Sequence, residues 1–275
     1  MRVAFASEAA PDRPENEDAA LHLGSLVGVF DGVTKPRDTE TGCLHTPAWY
    51  VRRLTLRLRQ AFEESPDDTL AGGLASAIAR VREDHGGRCD LANPATPAAA
   101  VCLLRANEKH VEYLILSDCT LVIDRGAVIT KITDERFSRT IAQLRHKARA
   151  NSHDVAPVLG HTPGKYTMIN RPEGYWIAAA NPEAAHEAIT GTFDLSGSSR
   201  VRRAALLTDG AACAVDMYHI MSWSQLLDAL DQKGPTDLIR QVRLAENADP
   251  ASTDYPRFKR HDDATAALCL FEEPS

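Results

Sequence analysis

The chain is 275 residues long and carries 31 Lys and Arg against 38 Asp and Glu, a formal charge of −7. With 44% hydrophobic and 25% charged residues, it has the makeup of a globular protein with a large core. The acidic balance excludes partners held by bulk positive charge, so neither nucleic acid nor an anionic membrane surface is expected.

The N-terminus meets Glu8 and Asp12 before any apolar run is long enough for a signal peptide. No stretch approaches the roughly 18 apolar residues of a spanning helix. The six cysteines, Cys43, Cys89, Cys102, Cys119, Cys213 and Cys269, include no CxxC pair. Neither a zinc knuckle nor a disulfide framework is therefore expected, and the chain reads as reduced and cytoplasmic.

In chain order, Leu26–Phe30 is an apolar run stopped by Asp31-Gly32, a buried strand closed by a turn. Val51, Leu54, Leu58 and Phe62 then recur at helical spacing, and Leu70–His85 reads as a second helix weakened by Gly72-Gly73. Four strands follow at Ala98–Arg105, Val111–Leu116, Thr120–Ile123 and Ala127–Ile132. Their short polar breaks force antiparallel pairing, because a parallel crossover needs a dozen residues or more. Phe137, Ile141 and Leu144 make a third helical stripe. Beyond it are a strand at Tyr175–Ala179, a short helix at Pro182–Ile189 and a surface loop at Thr190–Ser199. The chain closes with a strand at Arg203–Thr208, helices at Ser222–Asp231 and Thr236–Ala248, and a strand at Ala264–Phe271. Hairpin-built sheets with grouped helices indicate α+β. No linker separates domains, so one domain spanning residues 1–275 is expected.

Four acidic clusters stand beside strand ends: Glu15-Asn16-Glu17-Asp18, Asp31-Gly32, Asp209-Gly210 and Asp262-Asp263. Aspartate directly after an apolar strand puts a hard oxygen donor where several strand ends can converge, and oxygen-only donor sets suit Mg²⁺ or Mn²⁺. Like charges gathered in one place repel, so a cation is needed to hold them. Any single Asp-Gly pair is no more than a turn signal.

Taken in order, these clusters resemble the metal-dependent protein phosphatases of the protein phosphatase 2C type. Arg13-Pro14-Glu15-Asn16-Glu17-Asp18 resembles the first motif of that family and Val29-Phe30-Asp31-Gly32 the second. Leu207-Thr208-Asp209-Gly210 resembles its late Asp-Gly motif, and Asp262-Asp263-Ala264-Thr265 its closing motif. Ser117-Asp118 falls where the family carries Gly-Asp. The resemblance runs from residue 1 to about 271 and implies a four-layer α-β-β-α sandwich, two central antiparallel sheets flanked by helices. It implies two Mg²⁺ or Mn²⁺ ions, with Asp31 shared by both, the Gly32 carbonyl on one, and Asp209 and Asp262 as direct ligands. Glu17 and Asp18 would act through bound waters and Asp118 at a third ion. Arg13 would hold the phosphate by a bidentate contact. A water bridging the ions would attack phosphorus, so no nucleophilic side chain is needed.

The sequence departs from the family in three places. After Asp31-Gly32 it continues Val33-Thr34-Lys35-Pro36, without the common histidine or methionine. His45 is then a candidate substitute acid, against the plainer reading of an exposed loop histidine, and Lys35 a candidate phosphate contact. Cys213 stands where relatives carry a carboxylate or amide, so the third ion is expected to be weak or absent. Residues 131–150 form a segment rich in Lys and Arg, either a basic flap or the solvated face of a helix. Cys43 beside His45 is expected to be structural or incidental. The implied activity is hydrolysis of phosphoserine or phosphothreonine in proteins. Hydrolysis of a small phosphorylated metabolite and a phosphoprotein-binding pseudophosphatase are the alternatives. The sequence does not set an oligomeric state.

Overall fold

A computed structural model describes residues 1–34, 39–151, 162, 164–257 and 259–272. Among them are ten strands: β1 (Arg2–Glu8), β2 (Asp18–Leu23), β3 (Leu26–Gly32), β4 (Ala99–Ala106), β5 (His110–Leu116), β6 (Thr120–Asp124), β7 (Ile129–Thr133), β8 (Ile189–Asp194), β9 (Arg203–Leu207) and β10 (Ala264–Leu270). Six α-helices accompany them: α1 (Pro47–Glu64), α2 (Leu70–Asp84), α3 (Arg136–Asn151), α4 (Asp209–Asp216), α5 (Trp223–Lys233) and α6 (Pro235–Ala248). One sheet has the order β1-β10-β9-β6-β7 and the other β2-β3-β4-β5-β8. Every pairing within the two sheets is antiparallel.

Alternation along each strand builds the layers. In β3, Leu26 and Phe30 face α1 and α2, packing with Tyr50, Leu54, Leu58 and Leu74. Val27 and Val29 point the other way, into a core between the sheets shared with Leu121, Leu206, Ala267 and Cys269. The outer face of the β1-β10-β9-β6-β7 sheet, including Leu207 and Leu268, packs on Leu227, Leu230, Ile239 and Val242 of α5 and α6. The four-layer α-β-β-α sandwich is thus what the chain forms.

Three local expectations are corrected. Tyr175–Ala179 is not a strand: it touches β4 at the single pair Ala99–Ala178. The Ile177 N–H is drawn off by the Asn170 side chain at 2.8 Å, which leaves no ladder to extend. Pro182–Glu187 is a 3₁₀ turn rather than a helix running to Ile189. Part of the expected loop at 190–199 is the edge strand β8, whose residues alternate half-buried and exposed. Gly191 hides that alternation in the sequence because its inward position carries no side chain; a Cβ there would lie 2.5 Å from the Tyr113 hydroxyl. Three further elements, β1, β2 and α4, were not anticipated.

The topology gathers the acidic motifs at one end of the sandwich. β2 begins where its neighbour β3 ends, so Asp18 and Asp31 are cross-strand partners. β9 runs toward Asp209, and β10 starts just after Asp262-Asp263. Thr120, two residues past Asp118, pairs with Leu207.

Candidate active site

Asp31, Asp118, Asp209 and Asp262 line one small cleft of about 140 Å³, with Lys165 and Lys259 on its walls. Asp18 lies beneath, 6% exposed, where its carboxylate accepts a hydrogen bond from the Thr208 hydroxyl at 2.7 Å. Asp31 and Asp118 are half-buried, whereas Asp209 is exposed at the mouth. Gly32 is required by close approach: a Cβ there would stand 2.4 Å from the Glu17 carbonyl, which accepts the Gly32 N–H at 3.0 Å.

These carboxylates strain against one another. Loss of solvent and then repulsion from Asp209, Asp18, Asp118 and Asp262 hold Asp31 well above the usual carboxylate range. Burial also raises Asp18 well above that range, against the lowering effect of the Thr208 hydrogen bond. Asp262 is pushed up to about 6, by desolvation first and then by Asp209. Two lysines offset part of the charge. Desolvation pulls Lys259 down, but Asp262 and Asp209 outweigh it and hold the ammonium above its ordinary value; its Nζ lies 2.7 Å from Asp262 Oδ1. Burial wins at Lys165 and lowers it despite Asp118. Five carboxylates facing two ammonium groups remain strongly cation-seeking, and an all-oxygen donor set fits Mg²⁺ or Mn²⁺.

Arg13 and Glu17 open onto the adjoining cleft of about 370 Å³, which shares Val33, Tyr175 and Ile177 with the first. The Arg13 Nη1 donates to Glu17 Oε2 at 3.4 Å, and the Thr34 hydroxyl makes a short hydrogen bond to the same oxygen. Glu17 thus faces Arg13 and Thr34 rather than the aspartates. Asp263 positions this stretch: its two oxygens accept the Ala10 and Glu17 N–H groups, each at 2.7 Å. Lys35 lies outside the described residues.

Ser117, where the family pattern has glycine, sits at φ 70° and donates its hydroxyl to Asp118 Oδ1 at 3.1 Å. A non-glycine residue held there is backbone strain stored beside the cleft. The Cys213 thiol is spent on the Gly210 carbonyl at 3.1 Å. Three residues of the basic stretch are ion-paired, Lys131 with Asp216, Arg136 with the buried Asp134 and Arg139 with Glu135, and Arg145 and Lys147 are exposed on α3. Its solvated-helix reading is therefore the better one. His45 is not a free loop histidine: its ring stacks on Trp49 with centroids 3.7 Å apart, and Nδ1 points at Cys43 Sγ, 3.5 Å away.

Sequence reasoning missed Lys165, Lys259, Thr208 and the grouping of Cys43 and His45 with His85 and Cys89. Only Thr208 carried a local signal, as the residue before Asp209.

No family model and no curated protein matches the sequence, but solved structures match the fold. A bacterial serine phosphatase gives a TM-score of 0.59 at 15% identity, covering 100% of this chain and 99% of that one. The PPM Ser-Thr phosphatase MsPP from Mycobacterium smegmatis, in complex with cacodylate, gives 0.57 at 17% identity, with 99% of each chain covered. The catalytic domain of the serine threonine protein phosphatase PstP, in complex with two manganese ions, gives 0.56 at 15% identity, over 97% of this chain and 96% of that one.

Proposed function

From a fold shared with the serine/threonine phosphatases of the PPM class, we propose that this chain is a phosphatase acting on phosphoserine or phosphothreonine in proteins, with two Mg²⁺ or Mn²⁺ ions. The observation that carries the reading is the convergence of Asp18, Asp31, Asp118, Asp209 and Asp262 at one end of the sandwich, beside a cleft holding Arg13. When bound, the ions would supply Lewis-acid polarisation of the phosphoryl group and activation of water.

The chain's own residues divide the remaining work. Asp31, Asp209, Asp262 and the Gly32 carbonyl would hold the ions. Asp18 is fixed by Thr208 behind them and acts through solvent. Glu17 orients the Arg13 guanidinium toward the cleft, where its planar fork suits two phosphoryl oxygens. Lys165, on the carboxylate cleft, adds a cation near the same group. Asp118 is the candidate for a third ion, which Cys213 leaves without a hard partner. The Arg13 cleft has apolar walls at Val33, Leu44, Pro47, Pro97 and Ile169, which suit the side chains flanking a phosphorylated residue and favour a protein substrate over a metabolite.

The test is release of phosphate from a phosphoserine peptide with Mn²⁺, after chelation, and after Mn²⁺ is restored. Activity should vanish with EDTA and return with metal. Undiminished turnover in excess chelator, with metal absence confirmed by elemental analysis, would overturn the reading.

A further inference from the structure

A second set of metal-ligand side chains lies outside the carboxylate cleft. Cys43, His45, His85 and Cys89 present Sγ or Nδ1 atoms that all lie within 4.8 Å of one another. Cys43 Sγ is 3.5 Å from both His45 Nδ1 and His85 Nδ1. Cys89 Sγ is 3.5 Å from His45 Nδ1, and the two Nδ1 atoms are 3.2 Å apart. Zinc bonds of about 2.3 Å to sulfur and about 2.0–2.1 Å to nitrogen, at tetrahedral angles, place S···N pairs roughly 3.6 Å and N···N pairs roughly 3.3 Å apart. Three of the four S···N separations and the N···N separation meet these requirements, and the fourth S···N pair, Cys89 with His85, lies within 4.8 Å. The two sulfurs, unbonded at 3.2 Å, would part by roughly half an ångström to complete the tetrahedron.

The backbone is arranged around the same point. Gly86 and Gly87 both have positive φ and turn the chain after α2, bringing Cys89 back beside the helix-terminal His85. Two N–H groups are aimed at the sulfurs, His45 at Cys43 Sγ at 3.4 Å and Leu44 at Cys89 Sγ at 3.5 Å. The loops are tied by Asp90 N–H to the Gly42 carbonyl at 2.7 Å and by the Asn93 amide to the Glu40 carbonyl at 3.0 Å. Trp49 covers the outer face of the His45 ring and meets His85 edge-on at 4.9 Å.

We infer that Cys43, His45, His85 and Cys89 form a structural zinc site, distinct from the carboxylate cleft. Two thiolates and two imidazoles select zinc over Mg²⁺ or Mn²⁺, and four protein ligands leave no open position for a substrate or reactive water. The ion clips the loop that leads into α1 to the loop that leaves α2. The first of these loops supplies Thr41, Leu44 and Thr46 to the wall of the Arg13 cleft, so zinc would hold that wall in shape. This inference does not rest on the phosphatase reading, because zinc content is measured without turnover.

The test is elemental analysis of protein purified without chelator, together with cobalt substitution of the zinc-stripped chain. About one zinc per chain is expected. Cobalt should give the thiolate charge-transfer band and intense visible absorption of a tetrahedral sulfur-ligated site. Cys43→Ser and Cys89→Ser should each lose the zinc and weaken the band, whereas Asp31→Asn should keep both. Because a serine variant could lose metal by misfolding, His45→Cys provides the control: three thiolates and one imidazole still close the site, so the band should persist and intensify. Zinc that survives Cys43→Ser but not Asp31→Asn would place the ion among the carboxylates and overturn the inference. A metal-free Cys43–Cys89 disulfide, or cobalt spectra without a thiolate band, would overturn it equally.

Discussion

Two clusters of candidate ligands flank the end of β3, and they are built in opposite ways. The aspartates stand at the ends of strands whose register is fixed by two buried sheets. Their positions are set by the core, and the cost of crowding them is visible as raised pKa values at Asp18, Asp31 and Asp262. The thiols and imidazoles sit on two loops and a helix end, joined by a few backbone hydrogen bonds. The difference teaches that a rigid scaffold can hold a mutually repulsive set of carboxylates before any ion arrives. A loop-borne set instead depends on its ion for its shape.

The comparison breaks most sharply at Asp31. Asp31→Asn keeps the side-chain size but removes the charge that the two proposed ions would share. It should lower kcat roughly 100-fold or more, on the scale of about 2.7 kcal/mol of transition-state stabilisation. The metal-free thermal transition should hold or rise, because one of the mutually repelling carboxylates is gone. Metal-saturated kinetics and calorimetry on parallel preparations check both halves. Equal activity in the two proteins would place the chemistry elsewhere.

Arg13→Ala tests the wall between the two clusters. Its guanidinium is partly exposed, so the loss should sit near the lower end of the range for a charged contact, about 2 kcal/mol, or roughly 30-fold in KM for a phosphopeptide. Mn²⁺ affinity should change far less. Calorimetry showing lost Mn²⁺ affinity at unchanged KM would move Arg13 from the substrate to the ions.

A third expectation separates the clusters by pH. Asp262 titrates near 6 in the folded chain against an ordinary value of 3.8, so the native state binds more protons than the unfolded one between those values. Its contribution to metal-free stability is full below about 3.8 and is lost as pH rises through about 6. Metal must displace those protons, so the rise in Tm produced by Mn²⁺ should grow from pH 5 to pH 7.5. A Mn²⁺ increment flat across that range would mean that the ion binds away from these carboxylates.

The smallest effect is expected at Ser117. Glycine takes φ 70° without the Cβ penalty, so Ser117→Gly should recover about 1 kcal/mol, less what is lost with the hydroxyl bond to Asp118. A gain of up to about 2 °C in Tm is the expected reading. A loss of several degrees would show that the Asp118 hydrogen bond outweighs the strain.

Much of the fold was legible because local patterns report local physics. The run Leu26–Phe30 alternates between two cores, and the helix stripe Val51, Leu54, Leu58, Phe62 lies on one of them. β8 escaped notice because glycine occupies an inward position. β1 and β2 escaped it because their apolar runs, Val3–Ala6 and Ala19–Leu21, are short and rich in alanine, and neither strand is uniformly buried. The carboxylate cleft was foreseeable since each ligand candidate lies at a strand end or within two residues of one, and strand ends meet where sheets pack. The sequence by itself therefore determined the strand-end aspartates, the antiparallel hairpins and the oxygen-only character of the main site. Tertiary structure alone decided that Lys165 and Lys259 would share that site, and that Cys43 and His45 would meet His85 and Cys89. Those meetings depend on the docking of α1 and α2 against one sheet and on turns at Gly86 and Gly87, and sequence spacing carries no record of distances closed by packing.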